Sequence, residues 1–137
     1  MIKLTDLKQS INLLLENTGV KTMDNSEREG FRRPFFFIEI VPIEVKLFKV
    51  NKTENKYMIV INYFSKEETQ LENLKMVDTI KEKILPYICV KERKLVPKKI
   101  QSEAKDNMLS INFILEWFDD LDANQEEYEL MQELDIK

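Results

Sequence analysis

The chain has 137 residues with a formal net charge of −4 at pH 7, and 43% of its residues are hydrophobic and 34% charged. This composition is typical of a globular domain with a charged exterior, and it excludes collagen-like and disordered chains. Because the chain has no histidine and only two glycines, His-dependent nucleophilic sites, P-loops and dinucleotide-binding loops are also excluded.

The first predicted element is an amphipathic helix that begins near Thr5 and Asp6 and stops before Gly19. Its apolar residues recur at helical spacing: Leu4, Leu7, Ile11, Leu14 and Leu15. No apolar run suits a signal peptide or a membrane span, so we expect neither. The polar stretch that follows, 20–29, predicts a surface loop or a short edge strand.

The densest apolar run lies between Pro34 and Pro42 and predicts the central strand of a sheet. We expect the two prolines to mark its ends, because proline cannot donate to a sheet ladder. Alternation divides the run between two faces: Phe36, Ile38 and Ile40 on one, and Phe35, Phe37, Glu39 and Val41 on the other. Since both faces are largely apolar, each needs to be covered by a helix, another sheet or another copy of the chain.

Two further strands and a helix are predicted downstream. Residues 45–50 form a weaker strand, 51–55 a turn, and 56–64 a strong strand with Tyr57, Ile59, Ile61 and Tyr63 on one face. Capping patterns at Ser65 and Thr69 leave two possible starts for the helix, which Pro86 ends. Its predicted apolar stripe contains Leu71, Leu74, Val77, Ile80, Ile84 and Leu85.

The next segment is basic and leads into a third strong strand. A short strand at 87–90 should bury Cys89 between two apolar neighbours. The stretch 91–105 contains Pro97, which predicts an edge strand, and Asp106 with Asn107 predicts a hairpin turn. Alternation over 108–118 gives one strongly apolar face: Leu109, Ile111, Phe113, Leu115 and Trp117.

The last 19 residues are acidic. They hold eight Asp or Glu and one Lys, a local charge of −7 that leaves +3 on the first 118 residues. Tyr128, Met131 and Leu134 are spaced as the stripe of a short helix. We therefore expect one α/β (α+β) domain over 1–137, with an acidic extension at 119–137. A mainly antiparallel sheet of four to five strands should carry the N-terminal and central helices.

Two acidic features were considered as catalytic or metal sites. Asp119, Asp120 and Asp122 resemble an incomplete cation loop, although a solvated acidic turn is the favoured interpretation. Glu39 on a Phe-lined face is a candidate general acid, with an ion pair to Arg32, Arg33 or a lysine as the simpler alternative. We expect no enzyme activity, no cofactor and no metal.

The basic stretch has three interpretations. Lys91, Arg93, Lys94, Lys98 and Lys99 suit phosphate contacts, a solvated edge strand, or docking of the acidic extension from the same or a neighbouring chain. Interleaved aromatics for base stacking are missing, which disfavours specific nucleic-acid binding. If the basic and acidic segments belong to different subunits, their contact is heterologous and can close into a ring.

Four segments together resemble the tail terminator, or tail completion, proteins of phages and phage-tail-like particles of low-GC Gram-positive bacteria. The first runs from Met1-Ile2-Lys3-Leu4 to Ile11-Asn12-Leu13-Leu14, and the second is 29–38. The third joins Ile61-Asn62-Tyr63-Phe64-Ser65 to the Thr-capped helix start at 69–74. The fourth is the acidic ending at 129–134.

The resemblance implies helices on a mainly antiparallel sheet, assembled as a hexameric ring. Such a ring would cap the head-proximal end of the tail tube, stop polymerisation of tube and sheath, and join the neck or collar. The implied partners are other copies of the chain, the tube, possibly the sheath, and a neck, connector or collar protein, with no membrane. The implied location is a virion tail or a tail-like particle, such as a contractile bacteriocin, assembled in the host cytoplasm.

Combining the charge split with the resemblance gives a hypothetical set of interface residues: Arg32, Arg33, Phe35, Phe37, Lys94, Lys98, Lys99, Asp119, Asp120, Asp122, Tyr128 and Met131. Two other functions remain open at this point. One is an intracellular binding or inhibitor module that acts through the acidic segment. The other is a metal-dependent hydrolase that uses the three aspartates.

Overall fold

The computed structural model describes residues 1–23, 33–105 and 108–121. Within these ranges the helices are α1 (Leu4–Glu16) and α2 (Gln70–Ile84). The strands are β1 (Lys21–Met23), β2 (Phe35–Lys49), β3 (Lys52–Phe64), β4 (Ile88–Val90), β5 (Arg93–Leu95), β6 (Lys98–Lys105) and β7 (Met108–Asp120). The predicted hairpin turn at 106–107 and the C-terminal helix lie outside the described residues.

The predicted α+β class is confirmed. Five strands form one sheet in the order β1-β2-β3-β7-β6, and every neighbouring pair except β1 and β2 is antiparallel. Strands β4 and β5 form a separate hairpin. Lys91 and Glu92 connect them with positive φ angles of 46° and 68°, as a tight two-residue hairpin turn requires.

The core lies on one side of the five-stranded sheet, here called the inner face. Ile38, Ile61 and Ile111 are directly opposite one another on β2, β3 and β7, and all three are buried. They pack in one cluster with Leu7, Ile11 and Leu15 of α1, Ile80 and Ile84 of α2, and Ile88, Val90 and Leu95 of the small hairpin. The predicted inner faces of all three strong strands are therefore confirmed.

The helix ends follow local chemistry. The Lys3 backbone N–H donates to Asp6 Oδ2 at 3.1 Å at the start of α1, and Gly19 has a φ of 84° just beyond its end. Of the two candidate starts for α2, Thr69 is the cap, since its Oγ1 accepts from the Glu72 backbone N–H at 3.3 Å. Helix α2 ends at Ile84, two residues before Pro86.

Strand β2 differs most from expectation. Pro42 does not end the strand, and the predicted strands at 34–42 and 45–50 are one strand that runs from Phe35 to Lys49. Proline is tolerated because β2 lies at the sheet edge there, with a register irregularity directly after Pro42. Within the described residues most of β2 is also at the edge and not in the centre of the sheet, because β1 pairs only with Phe35–Phe37.

Two other burial predictions are wrong. Leu71, Leu74 and Leu85 of the predicted α2 stripe are exposed, because within α2 only Ile80 and Ile84 are fully enclosed by the core. Cys89 is exposed as well. Since Ile88 and Val90 on either side of it point into the core, strand alternation turns Cys89 outward.

Candidate assembly surface

The second half of β2 is exposed on both faces. We call Val41–Lys49 the distal segment of β2. Every residue in it is exposed, and it carries five large apolar side chains at the surface: Val41, Ile43, Val45, Leu47 and Phe48. Leu47 is the most exposed of them at 62%. Long apolar edge strands are rare at protein surfaces because they pair readily with other chains.

The distal segment is also an open edge of the sheet. On one side it pairs with β3, from Val41 opposite Met58 to Lys49 opposite Lys52. On the other side, no strand in the described ranges pairs with β2 beyond Phe37. Its outward backbone groups can therefore accept an added strand, which is how sheet edges bind extended partners.

Pairing register fixes which side chain of the distal segment lies on each face. Val45 is opposite Asn55 and Leu47 opposite Thr53, which places both apolar residues on the inner face. Glu44 is opposite Lys56 and Lys46 opposite Glu54, on the opposite, outer face. Between Glu44 and Leu47 the distal segment therefore presents apolar side chains on the inner face and charges on the outer face.

The outer-face charges continue a row that crosses the sheet. Lys98 Nζ of β6 contacts Glu116 Oε2 of β7 at 2.8 Å, and Lys56 Nζ of β3 contacts Glu116 Oε1 at 3.6 Å. Glu44 of β2 is the next position. The hydrogen bond from Lys98 is the main reason why the pKa of Glu116 lies below its usual value. The row thus alternates in sign up to the open edge.

Strand β6 forms the opposite edge of the sheet. It pairs with β7 and with no other strand among the described residues. The pairing of β6 with β7 is irregular near Lys99, whose φ is 52°. From Gln101 to Lys105 the pairing is regular. Glu103 and Lys105 lie on the outer face and Ser102 and Ala104 on the inner face, as their β7 partners indicate.

A groove runs beside this edge on the inner face. It has a volume of about 340 Å³, and its lining combines apolar and polar residues: Leu74 and Val77 of α2, Leu109 and Met108 of β7, Ser102, Glu103, Ala104 and Lys105 of β6, and Glu68, Gln70 and Asn73 near the start of α2. The small side chains on β6 leave the groove open, and Leu74 at its rim is exposed. The groove can therefore receive apolar side chains from a strand added to β6.

Asp119 has an internal role, and the residue is only 4% exposed. Its Oδ1 accepts hydrogen bonds from the Ile2 backbone N–H and Arg93 Nη1, each at 3.0 Å. Its Oδ2 accepts from Trp117 Nε1 at 3.0 Å and Asn55 Nδ2 at 3.2 Å. Asp119 thereby ties the N-terminus, β3, β5 and β7 together at the distal end of the sheet. The expected solvated acidic turn is wrong for this residue.

Arg33, a predicted interface residue, has partners within its own chain near the start of β2. Arg33 Nη1 donates to the Ser65 backbone oxygen at 3.1 Å and pairs with Glu68 at 3.0 Å, while its guanidinium lies over the Phe64 ring. Phe35 stacks on Phe64 with ring centroids 4.5 Å apart. Phe37, predicted to be covered by a neighbour, is already buried within the chain.

The cations predicted for an interface have mixed surroundings. Lys98 pairs with Glu116, Lys94 lies over the Tyr87 ring at 4.9 Å, and Lys99 is exposed. Asp120 is exposed and lies 3.9 Å from Lys52. Arg32, Asp122, Tyr128 and Met131 lie outside the described residues. A role for any of these residues between subunits stays a prediction.

Two observations on the described residues bear on the catalytic and metal alternatives. Glu39 is exposed on the outer face opposite Val60, so it lacks the burial that would make it a general acid. No cluster of three or more metal-ligating side chains occurs in residues 1–23, 33–105 and 108–121. None of the helices described there is long and apolar enough to cross a membrane.

Sequence reasoning missed the most prominent surface. Residues 41–49 were interpreted as the end of a buried strand and a weaker second one, since apolar content alone does not distinguish a buried position from an exposed edge. The available signal was the mixture of Glu44, Lys46 and Lys49 with Val45 and Leu47, which is unusual for a strand covered on both sides.

Comparison with known families adds a match over most of the chain. Residues 6–127 match the sequence profile of the family described as phage tail terminator protein. A search of curated proteins found no match. The matched segment includes both open edges, the groove and Asp119.

Proposed function

Because the chain belongs to the phage tail terminator family, a family of structural tail proteins, we propose that it forms a ring that caps the head-proximal end of a tail tube. The ring ends polymerisation of the tube, and of the sheath where one is present, and offers its opposite surface to a neck or collar protein. A hexamer is the stoichiometry we expect. The protein acts by binding, without catalysis.

The exposed distal segment of β2 is the observation that carries this proposal. A chain with five exposed apolar side chains on an open edge has a surface suited to other protein subunits. An open edge on β6 at the other side of the sheet provides a second, different surface. Contacts between unlike surfaces are heterologous, and they close into a ring when the rotation between subunits permits.

The first test is the size of the purified protein in solution. Mass photometry should detect a particle of about six subunit masses, either alone or after addition of tube protein. Electron microscopy should then find this particle at one end of each tube, with tubes of uniform length. A protein that remains monomeric and binds no tube end would refute the proposal.

The second test is genetic. Removing the gene from a phage or tail-like particle that encodes it should give tubes of variable and excessive length, because the end of the tube is no longer blocked. Supplying the wild-type gene in trans should restore uniform tails. Tails of normal length and normal head attachment without the gene would contradict the proposed role.

A further inference from the structure

We propose that neighbouring subunits join by antiparallel pairing of the β2 distal segment of one copy with the β6 edge of the next. This inference rests on the proposed function and specifies the contact that builds the ring. Its central register places Glu44 opposite Lys105, Val45 opposite Ala104, Lys46 opposite Glu103 and Leu47 opposite Ser102. Three features support it: strand direction, charge and the groove.

Strand direction permits the pairing. In the sheet order β1-β2-β3-β7-β6, the last three pairings are antiparallel, so β2 and β6 run in opposite directions. When a second copy is placed beside the first in the same orientation, its β6 is therefore antiparallel to β2. The two sheets then continue as one, and the pair keeps one free edge of each kind, β6 on the first copy and β2 on the second, for further neighbours.

Outer-face charges match in this register. Glu44 meets Lys105 and Lys46 meets Glu103, so both pairs join opposite charges at the same time. Opposite charges directly across a strand pair stabilise it, whereas like charges destabilise it. The new pairs also extend the existing alternation, since Glu44 and Lys46 already lie opposite Lys56 and Glu54 on β3. A shift of the register by two residues in one direction would place Glu44 opposite Glu103.

Inner-face side chains match in the same register. Val45 and Leu47 are exposed on the inner face, and their proposed partners Ala104 and Ser102 line the groove between α2 and β6. The two apolar side chains would enter this groove and contact Leu74 and Val77. The added strand therefore covers the exposed apolar residues of both partners on one face and pairs the charges on the other.

Charge exchange tests the register. Glu44→Lys and Lys105→Glu should each reduce the fraction of ring at least tenfold at a protein concentration where the wild type is assembled. The double variant Glu44→Lys/Lys105→Glu should recover most of it, because the opposite pairing is restored. Glu39→Lys is the matched control, since Glu39 is exposed on the same strand but outside the proposed pairing, and it should leave the ring intact.

Cross-linking tests the contact directly. In a Cys89→Ser background, the variant Val45→Cys/Ala104→Cys should form a ladder of disulfide-linked multimers on mild oxidation. Each single-cysteine variant, and the pair Leu13→Cys/Ala104→Cys, should stay largely uncross-linked. Leu13 is as exposed as the edge residues but lies on α1.

The outcomes separate this inference from the proposed function. Rings without cross-links and without rescue by charge exchange would overturn the edge pairing while leaving the ring in place. Cross-links to tube protein alone would overturn it as well, because the edge would then serve the tube. A wild-type protein that is monomeric with and without tube protein would refute both proposals.

Discussion

Strand β2 has three buried apolar residues in its first half and five exposed apolar residues in its second half. The first half lies below the core formed by both helices, and β1 covers its edge. The distal segment has neither a helix over it nor, in the described ranges, a strand at its edge. Apolar side chains of β2 therefore form part of the core in the first half, whereas in the second half they are available for contacts with other chains.

The two halves of β2 should differ most in the stability that is lost when a phenylalanine is replaced by alanine. Phe36 is fully buried, so Phe36→Ala should lower the free energy of unfolding by about 3–5 kcal/mol. Phe48 is exposed and contacts only the Phe118 ring among the aromatic pairs described, so Phe48→Ala should cost less than about 1.5 kcal/mol. Urea denaturation of the two variants measures the difference. Equal losses would mean that the distal segment is part of the folding core.

A second change tests how the distal end of the sheet is held. Asp119→Asn keeps the shape of the side chain but removes the charge that accepts four hydrogen bonds, and it should cost about 2–3 kcal/mol. Its exposed neighbour serves as the control, and Asp120→Asn should change stability by less than about 0.5 kcal/mol. Thermal unfolding at fixed pH compares them. No loss from Asp119→Asn would remove its role as a structural anchor.

A third change separates assembly from stability. Leu47→Ser and Leu13→Ser remove leucines that are 62% and 61% exposed, so each should alter the free energy of unfolding by less than about 0.5 kcal/mol. We expect only Leu47→Ser to reduce ring formation, which mass photometry measures at matched concentrations. If both variants assemble normally, the distal segment is not an assembly surface.

Phe37 lies in the first half of β2 and is one of the predicted interface residues. Phe37→Ser tests whether it serves assembly or folding. Because Phe37 is buried, this substitution should destabilise the monomer, as Ile38→Ser should. Both faces of β2 are covered at positions 37 and 38, so substitutions there affect folding. A variant that affects assembly without affecting folding has to be made at an exposed position such as Leu47.

The smallest expected effect is on the pH dependence of stability, to which the row of charges on the outer face contributes through Glu116. The pKa of Glu116 is lowered in the folded protein, first by the hydrogen bond from Lys98. Its stabilising contribution is therefore fully present above the pKa of an unfolded glutamate, roughly 4.3, and is lost as the pH falls through the lower folded value. In Lys98→Gln, an NMR titration should find the pKa of Glu116 closer to its ordinary value. An unchanged titration would exclude this ion pair as the cause.

Most helices and strands, and the inner faces of the strong strands, were predictable from the sequence. Periodicity identified α1, α2, β3 and β7 because one face of each must be apolar to bury a core. It also supported the family resemblance, which the profile match over 6–127 confirms. The edge position of β6 was predictable because Pro97 and the cluster of lysines are unfavourable in a central strand.

Which apolar residues are covered depends on contacts between distant parts of the chain. The exposure of Val45 and Leu47 depends on the three-residue length of β1 and on where the helices lie, and neither follows from the local pattern of β2. The burial of Asp119 depends on donors from Ile2, Asn55 and Arg93, which are distant in sequence. The sequence pattern of a strand indicates how apolar each face is. Packing between distant segments decides whether that face contacts the core, solvent or another subunit.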